Sequence, residues 1–186
     1  MSNINEVISA FRTINSAMSK AESYGGRGWF PPDGLHECLV EDATFEVKKL
    51  KFTVNKEERE IPAVCVGFSY RLTNDPESQG PARSFQDKVH VLPLDASLYV
   101  PEEGKKGNRF TIERDRLCRT IGTFLGMELD DIRADVAGFA QAAYTRVMNK
   151  DQPLIVKFKA ENRKYKKKDG TDATDSSGYA AELLSK

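Results

Sequence analysis

The spacing of hydrophobic positions changes several times along this chain of 186 residues. Between residues 4 and 20, Val7, Ile8, Phe11, Ile14 and Met18 recur every three or four positions, the period of an amphipathic helix. That predicted helix ends before SYGGRGWFPPDG, where four glycines and two prolines forbid regular structure and predict an arm. From Leu35 the pattern turns to partial alternation. LHECLVEDATFEV, REIPAVCVGFSYRLT and RSFQDKVHVLPL, rich in Val, Phe, Cys and Leu, predict three strands of an antiparallel sheet. VKKLKFTVNKEE and NDPESQGPA, which carry charges and turn-forming residues, read as their connections.

The helical period returns in ERDRLCRTIGTFLG, which sets Leu117, Ile121, Phe124 and Leu125 on one face and places Gly126 to end the helix. A second helix follows through Ile132, Val136, Phe139, Ala140, Ala143 and Val147 to Asn149, with the acids of MELDDIRAD at its start and Pro153 beyond its stop. Alternation resumes in PLIVKFKAENRKY, and GYAAELL supplies one more strand after a DG-containing turn. This order predicts an α+β, mainly β, fold: a five-stranded OB-like Greek-key barrel with helices between strands 3 and 4 and an N-terminal helix. Residues 1–30 form the helix and Gly-rich arm, and residues 31–186 the barrel domain.

Composition changes the picture in one respect. A hydrophobic content of 39% and a charged content of 30% are those of a soluble chain long enough to bury a core without staples. No apolar run approaches the ~18 residues of a membrane span, and the first residues lack a secretion signal, so a cytoplasmic protein is expected. Cys38, Cys65 and Cys118, odd in number and set among apolar residues, read as reduced core thiols. Charge is the exception. The chain is formally neutral, yet KFKAENRKYKKK, residues 157–168, holds seven of the 28 Lys and Arg and only one of the 28 acids, leaving an acidic excess of six elsewhere. Such a dipole draws a polyanion to one strip and repels it from the rest.

PPDGLHECLVEDATFE opening the first strand, RLCRTIGTFLG before the fourth, and QPLIVKFKAENRKYKKKDG with GYAAELL as the closing hairpin together resemble phage-encoded single-stranded-DNA-binding proteins of OB-fold type. The resemblance spans about residues 31 to 184. It implies a non-catalytic protein of the host cytoplasm, without cofactor or metal, that coats single strands in phage DNA replication or recombination. Expected partners are single-stranded DNA, replication or recombination proteins, and further copies of the chain. The family's bacterial relatives end in an acidic tail with a terminal Phe; this chain ends in AELLSK.

Single-strand binding calls for cations on phosphates and aromatic faces on bases, a stacked base contributing roughly 1–3 kcal/mol. Lys157, Lys159, Arg163, Lys164, Lys166, Lys167 and Lys168 are the phosphate candidates. Tyr165, beyond the regular alternation, is the first stacking candidate, whereas alternation buries Phe158. Val64, Val66, Phe68 and Tyr70 share one face of the second strand and form either a core stripe or a groove platform. Phe68 is assigned to the core, and Tyr70 stays open between the two. Arg71 and Arg83 flank the same groove. Phe52, among the lysines of the first connection, either stacks at its tip or packs down. Trp29, beside Arg27 in the arm, either folds over a bound strand or plugs the barrel. Tyr165, Tyr70, Phe52 and Trp29 are the residues assigned to stacking.

The chain carries no G-x-x-x-x-G-K-[ST], H-E-x-x-H or G-x-S-x-G, and offers only His36 and His90 as histidine bases. His36 and Cys38 with Cys65 or His90 lack the paired spacing of a zinc site. Two rival functions remain, a virion structural or interaction module assembling through its N-terminal helix, and a nuclease or other nucleic-acid enzyme.

Overall fold

The computed structural model describes residues 29–54, 57–78, 81–100 and 107–185. The helix expected over residues 4–20, and Arg27, fall outside the described residues. The chain divides into two units, Met1–Phe30 and Pro31–Lys186. All the strands and helices below belong to the second unit, which is mainly β. They run in the order β1 (Gly34–Val54), β2 (Glu57–Leu72), β3 (Ser84–Gln86), β4 (His90–Pro93), a 3-10 turn (Ala96–Tyr99), α1 (Arg109–Leu125), α2 (Leu129–Ala134), α3 (Val136–Met148), β5 (Ile155–Lys166) and β6 (Asp172–Leu183). None of the described helices is long and apolar enough to cross a membrane.

The strands form one open antiparallel sheet in the order β3-β2-β1-β5-β6, with β4 also paired to β2. Six strands stand where five are predicted, because a local irregularity splits the third. Between the pairs Ser69↔Gln86 and Val66↔His90, three residues, Asp87 to Val89, face two, Gly67 and Phe68, as in a β-bulge. The charged VKKLKFTV is ladder rather than loop: Val47 to Val54 pair with Val64 to Glu57, placing Lys51 opposite Glu60. Alternation there turns Leu50, Phe52 and Val54 toward Ile61, Ala63 and Leu98 in a second apolar cluster.

The sheet is strongly curled. Strands stand about 4.8 Å apart, so β3 and β5, three steps apart, would be separated by roughly 14 Å in a flat sheet. Instead the rings of Phe85 on β3 and Phe158 on β5 lie 5.1 Å apart, with Tyr70 4.6 Å from Phe158. This core continues through Val64, Val66 and Phe68 to Leu117, Ile121 and Phe124 of α1, the Phe68 and Phe124 rings meeting edge to face at 5.0 Å. The outer edge of β6 meets α1 rather than another strand. Thr120 Oγ1 accepts a hydrogen bond from the Ala180 amide at 3.2 Å, and Thr123 Oγ1 donates to the Ala180 carbonyl at 2.9 Å. Two hydroxyls one helical turn apart thus occupy backbone groups that would otherwise template aggregation.

Helix ends follow capping chemistry. α1 starts earlier than the apolar period because Asn108 Oδ1 accepts from the Phe110 and Thr111 amides, while Thr111 Oγ1 accepts from the Asn108 amide. It ends at Gly126 with φ +66°, in the predicted C-terminal role. The second predicted helix is two, because Asp135 leaves helical geometry and its side chain accepts from the Gly138 amide, starting α3.

One titratable cluster lies inside. His90 on β4 is 2% exposed, with Nδ1 3.3 Å from Glu113 of α1 and Nε2 3.7 Å from Asp87; Lys88 reaches Glu113 at 3.3 Å. Burial alone would depress the imidazole pKa, but the two carboxylates outweigh it and the net shift is upward. The His90 interaction, against some loss from burial, brings Glu113 down to about 2.

Two predictions follow from this packing. A Cβ on Gly178 would collide with the Lys159 carbonyl and the Phe158 ring, so Gly178→Ala should destabilise by about 1–3 kcal/mol or more, read in a denaturant melt. The His90–Glu113 contact should make stability greatest between the ordinary values of Glu, 4.5, and His, 6.5. Above 6.5 the unfolded ring gives up its proton first, so stability is lost as pH rises; below 4.5 it is lost as pH falls toward about 2. Thermal midpoints from about pH 3 to 9 check this, and His90→Gln should flatten the alkaline decline.

Candidate nucleic-acid interface

Register on β5 sorts the basic segment. Val156, Phe158 and Ala160 point into the core, so Lys157, Lys159, Glu161, Arg163 and Tyr165 share the outer face. β1 accompanies β5 only as far as the Gly34↔Ala160 pair. Just beyond, Asn162 forms a collar: its amide donates to Asp33 Oδ1 at 2.6 Å, its Nδ2 donates to the Pro31 carbonyl at 3.0 Å, and its Oδ1 accepts from Ser176 Oγ at 2.6 Å. From Arg163 onward the hairpin extends past β1. Its turn is fixed by the Gly170 amide donating to the Lys167 carbonyl and the Lys167 amide to the Thr171 carbonyl, both at 2.9 Å. Gly170 takes φ +83°, the left-handed position such a hairpin loop requires. Asp169 accepts from the Thr171 hydroxyl and amide, which holds its carboxyl below the usual range.

The predicted cations separate into two classes. Arg83 is a clamp: it forks onto both oxygens of Asp75 at 2.7 Å and onto Glu77 at 3.0 Å, bringing the Asp75 carboxyl down to about 2. Arg71 pairs with Glu41 at 3.1 Å. Lys157 meets Glu182 at 2.6 Å and Lys159 meets Glu161 at 3.4 Å; exposed pairs of this kind contribute about 0–1 kcal/mol, so a phosphate can displace the acid. Arg163, Lys164, Lys166, Lys167 and Lys168 are exposed and have no ion-pair partner among the described residues. Asp175 and Asp172 stand opposite Arg163 and Lys166, so the excess charge lies along β5 and the turn.

The aromatic candidates separate as sharply. Tyr165 is 50% exposed on the outer face, opposite Ala173. Tyr70 is fully buried, stacked on Phe85 at 5.4 Å and against Phe158. Its expected place on a groove is corrected: Val64, Val66, Phe68 and Tyr70 are the core stripe. Phe52 is corrected likewise, 9% exposed with its ring edge-on to Phe110 at 5.9 Å; the ribbon packs down because α1 and the 3-10 turn cover it. Trp29 lies in the first unit.

Residues outside the sequence prediction complete this face. Lys159 stands between Leu35 of β1 and Tyr179 of β6. Leu35 is 62% exposed, and the Lys159 ammonium and the Arg119 guanidinium of α1 each lie 5.8 Å from the Tyr179 ring centre. Arg116 reaches Glu161 at 3.3 Å. An exposed cation over a ring contributes about 0.5–1 kcal/mol, less than the roughly 1–3 kcal/mol of a stacked base. A signal for Tyr179 existed: counting ten residues to either side of Asp169 in the DG turn pairs Lys159 with Tyr179. Nothing comparable marks Arg119, whose place depends on how α1 docks.

Comparison with family models, curated proteins and solved structures gives no match. Among the described residues no three His, Cys, Asp or Glu side chains are grouped to hold a metal ion.

Core and surface tyrosines should respond in opposite ways. Tyr70→Ala should cost about 3–5 kcal/mol in a denaturant melt, as for other buried aromatic rings. Tyr165→Ala should leave stability within about 0.5 kcal/mol of the parent.

Proposed function

We propose that this chain is a non-catalytic, sequence-tolerant single-stranded-DNA-binding protein that carries its ligand on the outer face and tip of the β5–β6 hairpin. One observation carries the reading: five exposed cations without ion-pair partners among the described residues lie beside a half-exposed Tyr165, along the strand and in the turn of a hairpin that extends beyond its neighbouring strand. Phosphates are met by Arg163, Lys164, Lys166, Lys167 and Lys168, and by Lys157 and Lys159 once their acids are displaced. Tyr165 offers a ring face that every base can use, which is why sequence tolerance follows.

The strand path supports the OB-like part of the reading. β1 lies between β2 and β5, the third strand follows β2, β6 follows β5, and the helices stand between β4 and β5. α1 packs on both β4 and β6, the two strands whose pairing would close such a barrel. Resemblance to the phage single-strand-binding family supports a role in phage DNA replication or recombination. Binding without turnover is supported by the chemistry of the reactive groups: burial pushes the Cys38 thiol up to about 12 and the Cys118 thiol up to about 11, and His90 is enclosed between carboxylates.

The test is a titration of fluorescent oligo-dT at several salt concentrations with duplex competitor. Four to six neutralised phosphates give a slope of log K against log salt of roughly −3 to −4 by the single-strand coefficient. Lys166→Ala with Lys167→Ala should flatten that slope by about one unit or slightly more. A salt-independent affinity, or equal binding of duplex, overturns the proposal.

A further inference from the structure

Beside Tyr179 an open groove of about 380 Å³ runs between the end of α1, the α1–α2 link and β6. Gly126, where a side chain would meet nothing within 4 Å, leaves one part of it open, and Arg119, Met127, Glu128, Leu129, Tyr179 and Glu182 stand around it. The Tyr179 row is continuous with the outer face of β5, where Lys159 and Tyr165 are six residues, or about 20 Å, apart along one strand.

We propose that this groove is a nucleobase subsite, in which one base of a strand held along the hairpin stacks on Tyr179. The inference rests on the single-strand reading and adds to it a second contact point, remote from the basic tip. Three features favour a base over a phosphate. The groove offers a ring beside the apolar side chains of Met127 and Leu129, which suit the flat face of a base. Its two carboxylates, Glu128 and Glu182, the second paired with Lys157 at 2.6 Å, disfavour an anion. The same carboxylates accept hydrogen bonds from the exocyclic amino groups of cytosine, adenine and guanine, which thymine lacks. The backbone stays outside, on Lys159 and on the Arg119 guanidinium as the arriving base displaces it from the ring.

The experiment uses the full chain with oligo-dC, oligo-dT and an oligo-dC carrying 5-iodocytosine for photocrosslinking. The parent should prefer oligo-dC, and Glu128→Gln should narrow that preference. Tyr179→Leu should weaken oligo-dC binding about 5- to 150-fold, the range of one stacked base, with salt slope and melting temperature like the parent. The crosslink on the parent, which needs no variant to fold, should map to Tyr179. Crosslinks confined to Tyr165, or unchanged affinity in a folded Tyr179→Leu, overturn the subsite while the hairpin reading stands. Equal affinity for oligo-dC and oligo-dT overturns the role given to the carboxylates. Failure of the parent to bind any single strand removes the reading beneath it.

Discussion

Phe158 can be enclosed on all sides only because Gly178, on the neighbouring strand, has no Cβ to occupy the space its ring fills. Tyr70 and Phe85 close in from the far strands, and their approach requires the sheet to curl. The same contact fixes the phase of β5. Strand residues alternate strictly, and a slip of one position would send Phe158 into solvent and Lys157 and Lys159 into the core. The outward row of Lys157, Lys159, Arg163 and Tyr165 is therefore a consequence of one buried ring.

Charge is distributed along that row by distance from the core. Near the body, Glu182 of β6 and Glu161 of β5 itself stand within reach, and Lys157, Lys159 and Arg116 of α1 are paired with them. Past the Asn162 collar β1 has ended, and among the described strands β6 alone runs beside β5. The cations without ion-pair partners among the described residues are those with one neighbouring strand. A surface that binds a polyanion needs charge not already neutralised within the fold, and a two-stranded projection supplies it without burying a lone cation, which would be costly.

Local patterns in the chain were legible to the extent that they act locally. Alternation, the DG turn and the Gly126 terminus depend on neighbours a few residues away, and each appears in the structure as expected. What could not be read depends on distant partners. Arg71 and Arg83 look alike in sequence to the free cations, but Glu41 lies 30 residues from Arg71 and Asp75 approaches Arg83 only through the course of a loop. Phe52 stands among lysines, and its burial is decided by Leu98 and Phe110, on elements formed much later in the chain. The third strand was sound as a pattern and was split by a mismatch of one residue against β2, which no single segment records. Tyr179 lay within reach of a register count, whereas Arg119 needed the docked helix.

The joint between α1 and β6 links stability to this surface. Thr120 and Thr123 fasten the helix to the backbone of Ala180, one residue from Tyr179, and the same helix carries Arg119 over the Tyr179 ring and Arg116 to Glu161. Its inner side holds Leu117, Ile121 and Phe124 in the core, so a shift of α1 would disturb packing before it moved an arginine. The two halves of the outer face thus differ in kind. The Tyr179 row is held by elements that also form the core, and its geometry is set by folding. The tip beyond Asn162 contributes little burial, so its lysines and Tyr165 can vary with little cost to the fold, and selection on them would act through binding alone.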